Sequence, residues 1–123
     1  MEYRNRAVGK LGEDIAARFL SHKGYRIIVR NIKTFVGEID IVAEKNSSTV
    51  FVEVKTRKTE SIGPPYLSVT EKKKRKLIQC ALCYLKMKNI LDSRWSIDVI
   101  SVEMDAFTKN IKKIEHFEDA IQG

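Results

Sequence analysis

Two apolar, β-branched runs, Gly37-Glu38-Ile39-Asp40-Ile41-Val42 and Phe51-Val52-Glu53-Val54-Lys55-Thr56-Arg57, carry acids and a lysine where buried strands ordinarily hold hydrophobes. The stretch between them, Glu44-Lys45-Asn46-Ser47-Ser48-Thr49, is polar and reads as a hairpin turn. A loop symmetric about Asn46-Ser47 sets Asp40 across from Glu53 and Glu38 across from Lys55. Side chains alternate along a strand, so Asp40, Glu53, Lys55 and Arg57 then share one face of the hairpin. Directly opposed like charges destabilise a sheet pair. Two carboxylates and an ammonium on otherwise apolar strands therefore need an outside partner, and a divalent cation is the natural one. Asn46-Ser47 is a poorer turn than Asn-Gly, which leaves a three-residue loop with a bulge open. A slip of one residue would carry Asp40 to the face of Val52 and Val54. The plain alternative is a solvated face on which these charges pair as surface ions.

The rest of the chain frames this hairpin. Its 123 residues, 43% hydrophobic, suit a single domain, 1–123, with one core. No apolar run reaches the roughly 18 residues of a membrane span. The start, Met1-Glu2-Tyr3-Arg4-Asn5-Arg6, leads into a charged amphipathic segment rather than an apolar signal core, so a cytoplasmic protein is expected. Lysine and arginine outnumber the acids by 23 to 16, for a net charge of +7. That excess favours a polyanionic partner, most simply nucleic acid. Cys80 and Cys83 form a C-x-x-C, but inside a helical pattern rather than at a helix start that follows a strand. With no second such pair and with His22 and His116 far off, they read as small buried hydrophobes.

Periodicity supplies the architecture. Val8, Leu11, Ile15, Ala16, Phe19 and Leu20 recur at helical spacing and Gly24 is a stop, which predicts a helix over about 5–23. Tyr25-Arg26-Ile27-Ile28-Val29 reads as a strand, and the hairpin adds strands over about 36–44 and 49–56. Residues 57–68, around Gly63-Pro64-Pro65, form a loop long enough to be a mobile element at the site. Thr70 is an N-cap for a second helix over about 70–88, with Leu77, Ile78, Ala81, Leu82 and Leu85 as its apolar face. Strands over 95–102 and 112–117 follow. The order αβββαββ implies an α/β fold, a mixed sheet with helices packed against it.

Two further features bear on function. Lys72-Lys73-Lys74-Arg75-Lys76 fills the first turns of the second helix, where the macrodipole favours acids. Contact with a phosphate backbone would favour that placement, whereas the bland reading is a solvated basic face. Glu13 stands in Gly9-Lys10-Leu11-Gly12-Glu13, beside the Leu11/Ile15 stripe, where it could border the acidic face of the hairpin. Gly9 and Gly12 each cost a helix roughly 1 kcal/mol relative to alanine, and would allow close approach to the sheet or to a ligand.

Asp40, then Glu53-Val54-Lys55 across a hairpin, with Glu13 on a preceding helix, resembles the PD-(D/E)XK nuclease superfamily. Within it, Gly9-Lys10-Leu11-Gly12-Glu13, Gly37-Glu38-Ile39-Asp40, Phe51-Val52-Glu53-Val54-Lys55-Thr56-Arg57, the Lys72-Lys73 helix start and Ile97-Asp98-Val99 resemble the small uncharacterised bacterial YraN-type family in order and spacing. The set is also similar to archaeal Holliday-junction resolvases. Ile39 stands where the superfamily name has proline. The resemblance implies a restriction-endonuclease-like αβββαβ core with a mixed sheet flanked by helices. It implies a nuclease that hydrolyses phosphodiester bonds, in DNA and in branched repair or recombination intermediates, with Mg²⁺ or Mn²⁺ as cofactor. Glu13, Asp40 and Glu53 would be the metal ligands and, with Lys55 as catalytic lysine, the catalytic set. Arg57, Lys72, Lys73, Lys74, Arg75 and Lys76 would hold flanking phosphates. Asp98 is ambiguous, and a homodimer is compatible by analogy with junction cleavage. The alternatives are a nucleic-acid-binding module that keeps the fold without cleaving, and a small interaction protein whose acids pair with Lys55 and Arg57.

Overall fold

The computed structural model describes residues 6–58 and 69–122. Among them the order is α1 (Arg6–His22), β1 (Arg26–Lys33), β2 (Glu38–Lys45), β3 (Ser48–Lys58), α2 (Glu71–Met87), β4 (Trp95–Met104) and β5 (Ile111–Phe117). This is the expected αβββαββ succession. The loop expected at 57–68 falls almost wholly outside the described residues, with only its first two positions, the end of β3, inside them.

The strands lie in the sheet in chain order, β1-β2-β3-β4-β5. β3 and β4 run parallel and the other neighbours antiparallel, because α2 carries the chain back across the sheet between them. Val8, Ala16 and Leu20 of α1 pack with Ile41, Val50, Val52, Ile100 and Val102 on one face. Leu77, Ala81 and Leu85 of α2 pack with Val42, Phe51, Ile97 and Val99 on the other. Each helix therefore seals one face, and the central strands are buried on both sides.

The hairpin turn settles the register. Lys45 pairs with Ser48, and Asn46 and Ser47 both take positive φ, 52° and 63°. That is the two-residue turn whose twist matches its strands, not the three-residue bulged loop. The expected register holds as far as Ile41 opposite Val52, where the paired ladder stops. Glu38 therefore does not pair with Lys55 and instead lies opposite Lys33 on β1.

Some helix faces differ from the periodicity. Leu82 and Leu11 are exposed, while Cys80 and Tyr84 are buried against the sheet and Cys83 is half-buried. Thr70 caps α2 as expected, its side chain accepting from the Lys73 N–H. Gly12 is the point of closest approach between α1 and β3. A Cβ there would fall 2.1 Å from Thr56 Oγ1 and 3.3 Å from Thr56 Cβ, whereas one at Gly9 would meet nothing within 4 Å.

These two glycines should respond with opposite signs. Gly12→Ala forces a β-branched neighbour to shift and is expected to destabilise by about 1–2 kcal/mol, the overpacking cost less the gain in helix propensity. Gly9→Ala meets no obstacle and should stabilise by up to about 1 kcal/mol. Guanidinium unfolding of both variants checks this, and equal effects would remove Gly12 from the helix–sheet contact.

Candidate active site

The site begins where β2 leaves β3. In place of the next ladder bond, the Asp40 carboxylate accepts from the backbone N–H of Val54 at 2.8 Å. Ile39 and Val42 pack on the α2 side while Ile41 and Ala43 pack on the α1 side, so the alternation of β2 slips at Asp40. The parted strands leave a cavity of about 380 Å³. Glu38, Asp40, Glu53 and Lys55 line it from the strands, Gly9 and Glu13 from α1, and Lys73 from α2.

Its charges are closely packed. Glu53 and Lys55 are each only 5% exposed, unlike the solvated ions of the plain alternative. Glu53 Oε2 lies 3.5 Å from Lys55 Nζ and 2.6 Å from Lys73 Nζ. Burial, reinforced by the charge of Glu53, pushes the Asp40 carboxyl up to about 8, although the Val54 N–H works the other way. Burial likewise raises Glu13 above the usual carboxylate range, against the hydrogen bond from Asn31 and the charge of Arg30. At Lys73 burial is the largest single influence and opposes the charge. The combined pull of Glu53, the hydrogen bond with Lys55 and Asp40 outweighs it, so Lys73 is raised overall.

The expected site residues divide into three groups. Asp40, Glu53 and Lys55 line one cavity, although the hairpin ladder that was expected to set Asp40 across from Glu53 ends one pair earlier, at Ile41 and Val52. Glu13 borders the same cavity but is held back by Arg30 at 3.8 Å, and among the described residues no three acid, histidine or cysteine side chains converge as a ready metal shell. The basic run splits. Lys72, Lys73 and Lys76 line an adjoining cavity of about 310 Å³, with Gly37, Glu38, Thr70, Leu77 and Cys80. Lys74 pairs with Glu71 at 3.2 Å, and Arg75 is exposed outside these linings. Arg57, expected among the phosphate contacts, is instead enclosed at 5% exposure.

Sequence reasoning missed Lys73 as a counter-ion of Glu53, and missed Arg30 and Asn31 as the holders of Glu13. The cations at an unfavourable helix start were the available signal for Lys73. Arg30 and Asn31 gave none, because they extend a strand whose apolar run ends at Val29.

Residues 12–102 match the uncharacterised protein family UPF0102. The chain belongs to that family. A UPF0102 protein of Geobacter sulfurreducens is 41% identical over 120 residues, covering 98% of this chain and 92% of that one. A UPF0102 protein of Desulfosudis oleivorans is 48% identical over 95 residues, 77% of each chain. Among solved structures, that of Pyrococcus furiosus SfsA in complex with Ca²⁺ aligns with TM-score 0.41 and 18% identity, over 92% of this chain and 63% of that one. Among the described residues, no helix of this UPF0102 protein is long and apolar enough to cross a membrane.

The elevated Asp40 has a consequence for stability. Its folded-state value of about 8 lies above its ordinary 3.8, so the folded chain retains a proton that the unfolded chain releases. The contribution is complete below about 4 and is lost as pH rises through about 8. Without divalent cations, the wild type should therefore lose stability relative to Asp40→Asn across that window. Thermal melts in chelator at several pH values test this, and parallel curves would contradict it.

Proposed function

We propose that this UPF0102 protein is a metal-dependent nuclease of the PD-(D/E)XK type that acts on DNA, including branched repair or recombination intermediates. The observation that carries the reading is a carboxyl pair, half-buried Asp40 and buried Glu53, beside an enclosed lysine in an open cavity whose neighbour is rimmed by Lys72, Lys73 and Lys76. Two hard carboxylate donors side by side, with the charge of Glu53 helping to raise the proton affinity of Asp40, form a donor set suited to Mg²⁺ or Mn²⁺.

Asp40 and Glu53 would hold the ion, with the Val54 carbonyl and Glu13 available at the cavity wall. When bound, such an ion polarises a phosphoryl oxygen and makes a bound water more acidic. Lys55, fixed by burial and by Glu53, would orient the attacking water and offset charge gathering on the phosphorus. Lys72 and Lys76, on the exposed face of α2, would hold the neighbouring phosphates by charge.

A second reading has one observation in its favour. With Asp40 protonated, Lys55 and Lys73 neutralise Glu53 with no metal at all, which suits a nucleic-acid-binding module that does not cleave.

The two readings part in one experiment. Labelled linear, nicked, flapped and four-way DNA, and RNA, are incubated with wild type and Asp40→Ala in Mg²⁺ or Mn²⁺. The nuclease cuts at least one substrate only with metal. Asp40→Ala reduces that rate by about a hundredfold or more while affinity changes little. Salt-sensitive binding without cutting in either protein would establish the module, and neither binding nor cutting would sink both.

A further inference from the structure

Lys73 lines two cavities at once. Its ammonium lies 2.6 Å from Glu53 Oε2 inside the site, yet its side chain, 46% exposed, also forms the wall of the adjoining cavity with Lys72 and Lys76. Lys55 reaches the same oxygen from 3.5 Å but is enclosed by the sheet. Of the two ammoniums on Oε2, only Lys73 has somewhere to go. Its four-carbon stem turns freely, and the neighbouring space is floored by Leu77 and Cys80 and offers two more cations at its rim. A divalent cation and an ammonium on one carboxylate repel one another, so a cation at Glu53 weakens the hold of Lys73 at 2.6 Å more than that of Lys55 at 3.5 Å.

We propose that Lys73 is a displaceable counter-ion: it holds Glu53 while the site lacks a divalent cation, then yields it and turns into the adjoining cavity to bind a phosphate of the nucleic acid. Cation and nucleic acid thereby strengthen each other's binding, since each favours the arrangement in which Lys73 has left Glu53. The idea rests on the nuclease reading for the cation at Asp40 and Glu53, and it makes Lys73 a counter-ion in one arrangement and a phosphate-binding residue in the other. It also explains why cations fill the first turns of α2. Glu53 favours Lys73 there before metal arrives, and phosphate does so afterwards.

The test needs no turnover. Mn²⁺ affinity is measured by calorimetry for wild type, Lys73→Met, Lys73→Arg and Lys86→Met, the last a charge control in the final turn of α2. Affinity for a phosphorothioate DNA oligonucleotide is then measured with and without Mn²⁺, and acylation of Lys73 is followed by mass spectrometry. Lys73→Met should bind Mn²⁺ about tenfold more tightly, with Lys73→Arg and Lys86→Met close to wild type. Mn²⁺ should strengthen oligonucleotide binding in wild type and Lys86→Met, but not in Lys73→Met. Acylation of Lys73 should rise with Mn²⁺ in the absence of DNA. If Mn²⁺ binds wild type and Lys73→Met alike, or leaves Lys73 acylation unchanged, Lys73 is a fixed ion pair and the proposal is wrong while the metal site stands. If Mn²⁺ binds none of the proteins, the metal site fails and the proposal with it.

Discussion

The hydrogen bond from the Val54 N–H to the Asp40 carboxylate organises the candidate site of the molecule. A strand that continued its ladder would give Val54 a backbone carbonyl and would close β2 against β3. By substituting a side chain, the fold satisfies the buried N–H and lets β2 peel away. The opening admits Gly9 and Glu13 from one face of the sheet and Lys73 from the other. Sealing by one helix on each face makes that gap a natural meeting point for both helices. The tight contact of Gly12 with Thr56 keeps α1 close enough for Glu13 to reach the rim.

Local sequence encodes this arrangement unevenly. The hairpin was legible because period-two alternation and a polar turn fix a register, and a register fixes which charges share a face. Spacing thus singled out Asp40, Glu53 and Lys55, but not the break in pairing at Asp40 that opens the cavity between them. β1 was not readable past Val29, since Arg30 and Lys33 carry no strand signal and are held in the strand by pairing with β2, while Asn31 between them takes a positive φ of 53°. The α2 face was misread at one position because Cys80 and Tyr84 bury where Leu82 does not. Tyr84 is seated edge-on against Phe51, a tertiary contact that periodicity does not contain. Arg57 shares the parity of the site strand, yet parity says nothing about depth, and the structure encloses it.

The electrostatic balance of the site reconciles buried acids with a fold that stands before any ligand arrives. Two adjacent carboxylates in a low-dielectric setting cannot both remain charged without compensation. Proton retention by Asp40 is one remedy and the two ammoniums on Glu53 are the other. Neither is available to a ligand without rearrangement. Under the proposed function, a divalent cation would have to release the proton from Asp40 and compete with Lys73 at Glu53. The local charge is therefore set by a proton and two ammoniums rather than by the carboxylates alone.

The opposite case sits elsewhere in the sheet. Asp98 is as deeply buried as any acid described, at 2% exposure. Ser96 Oγ donates to it at 3.2 Å, the Asp119 N–H donates at 2.9 Å, and His116 Nε2 lies 2.7 Å away. Each carboxylate oxygen has a specific partner, so its role is to fasten the chain after β5 against β4. Among the residues lining the Asp40 cavity, Asp98 is absent. In sequence the two aspartates look alike, each flanked by isoleucine in a strand. What separates them is satisfaction: a buried acid whose hydrogen bonds are complete holds the fold together, whereas one pressed against another acid has capacity left for an external cation.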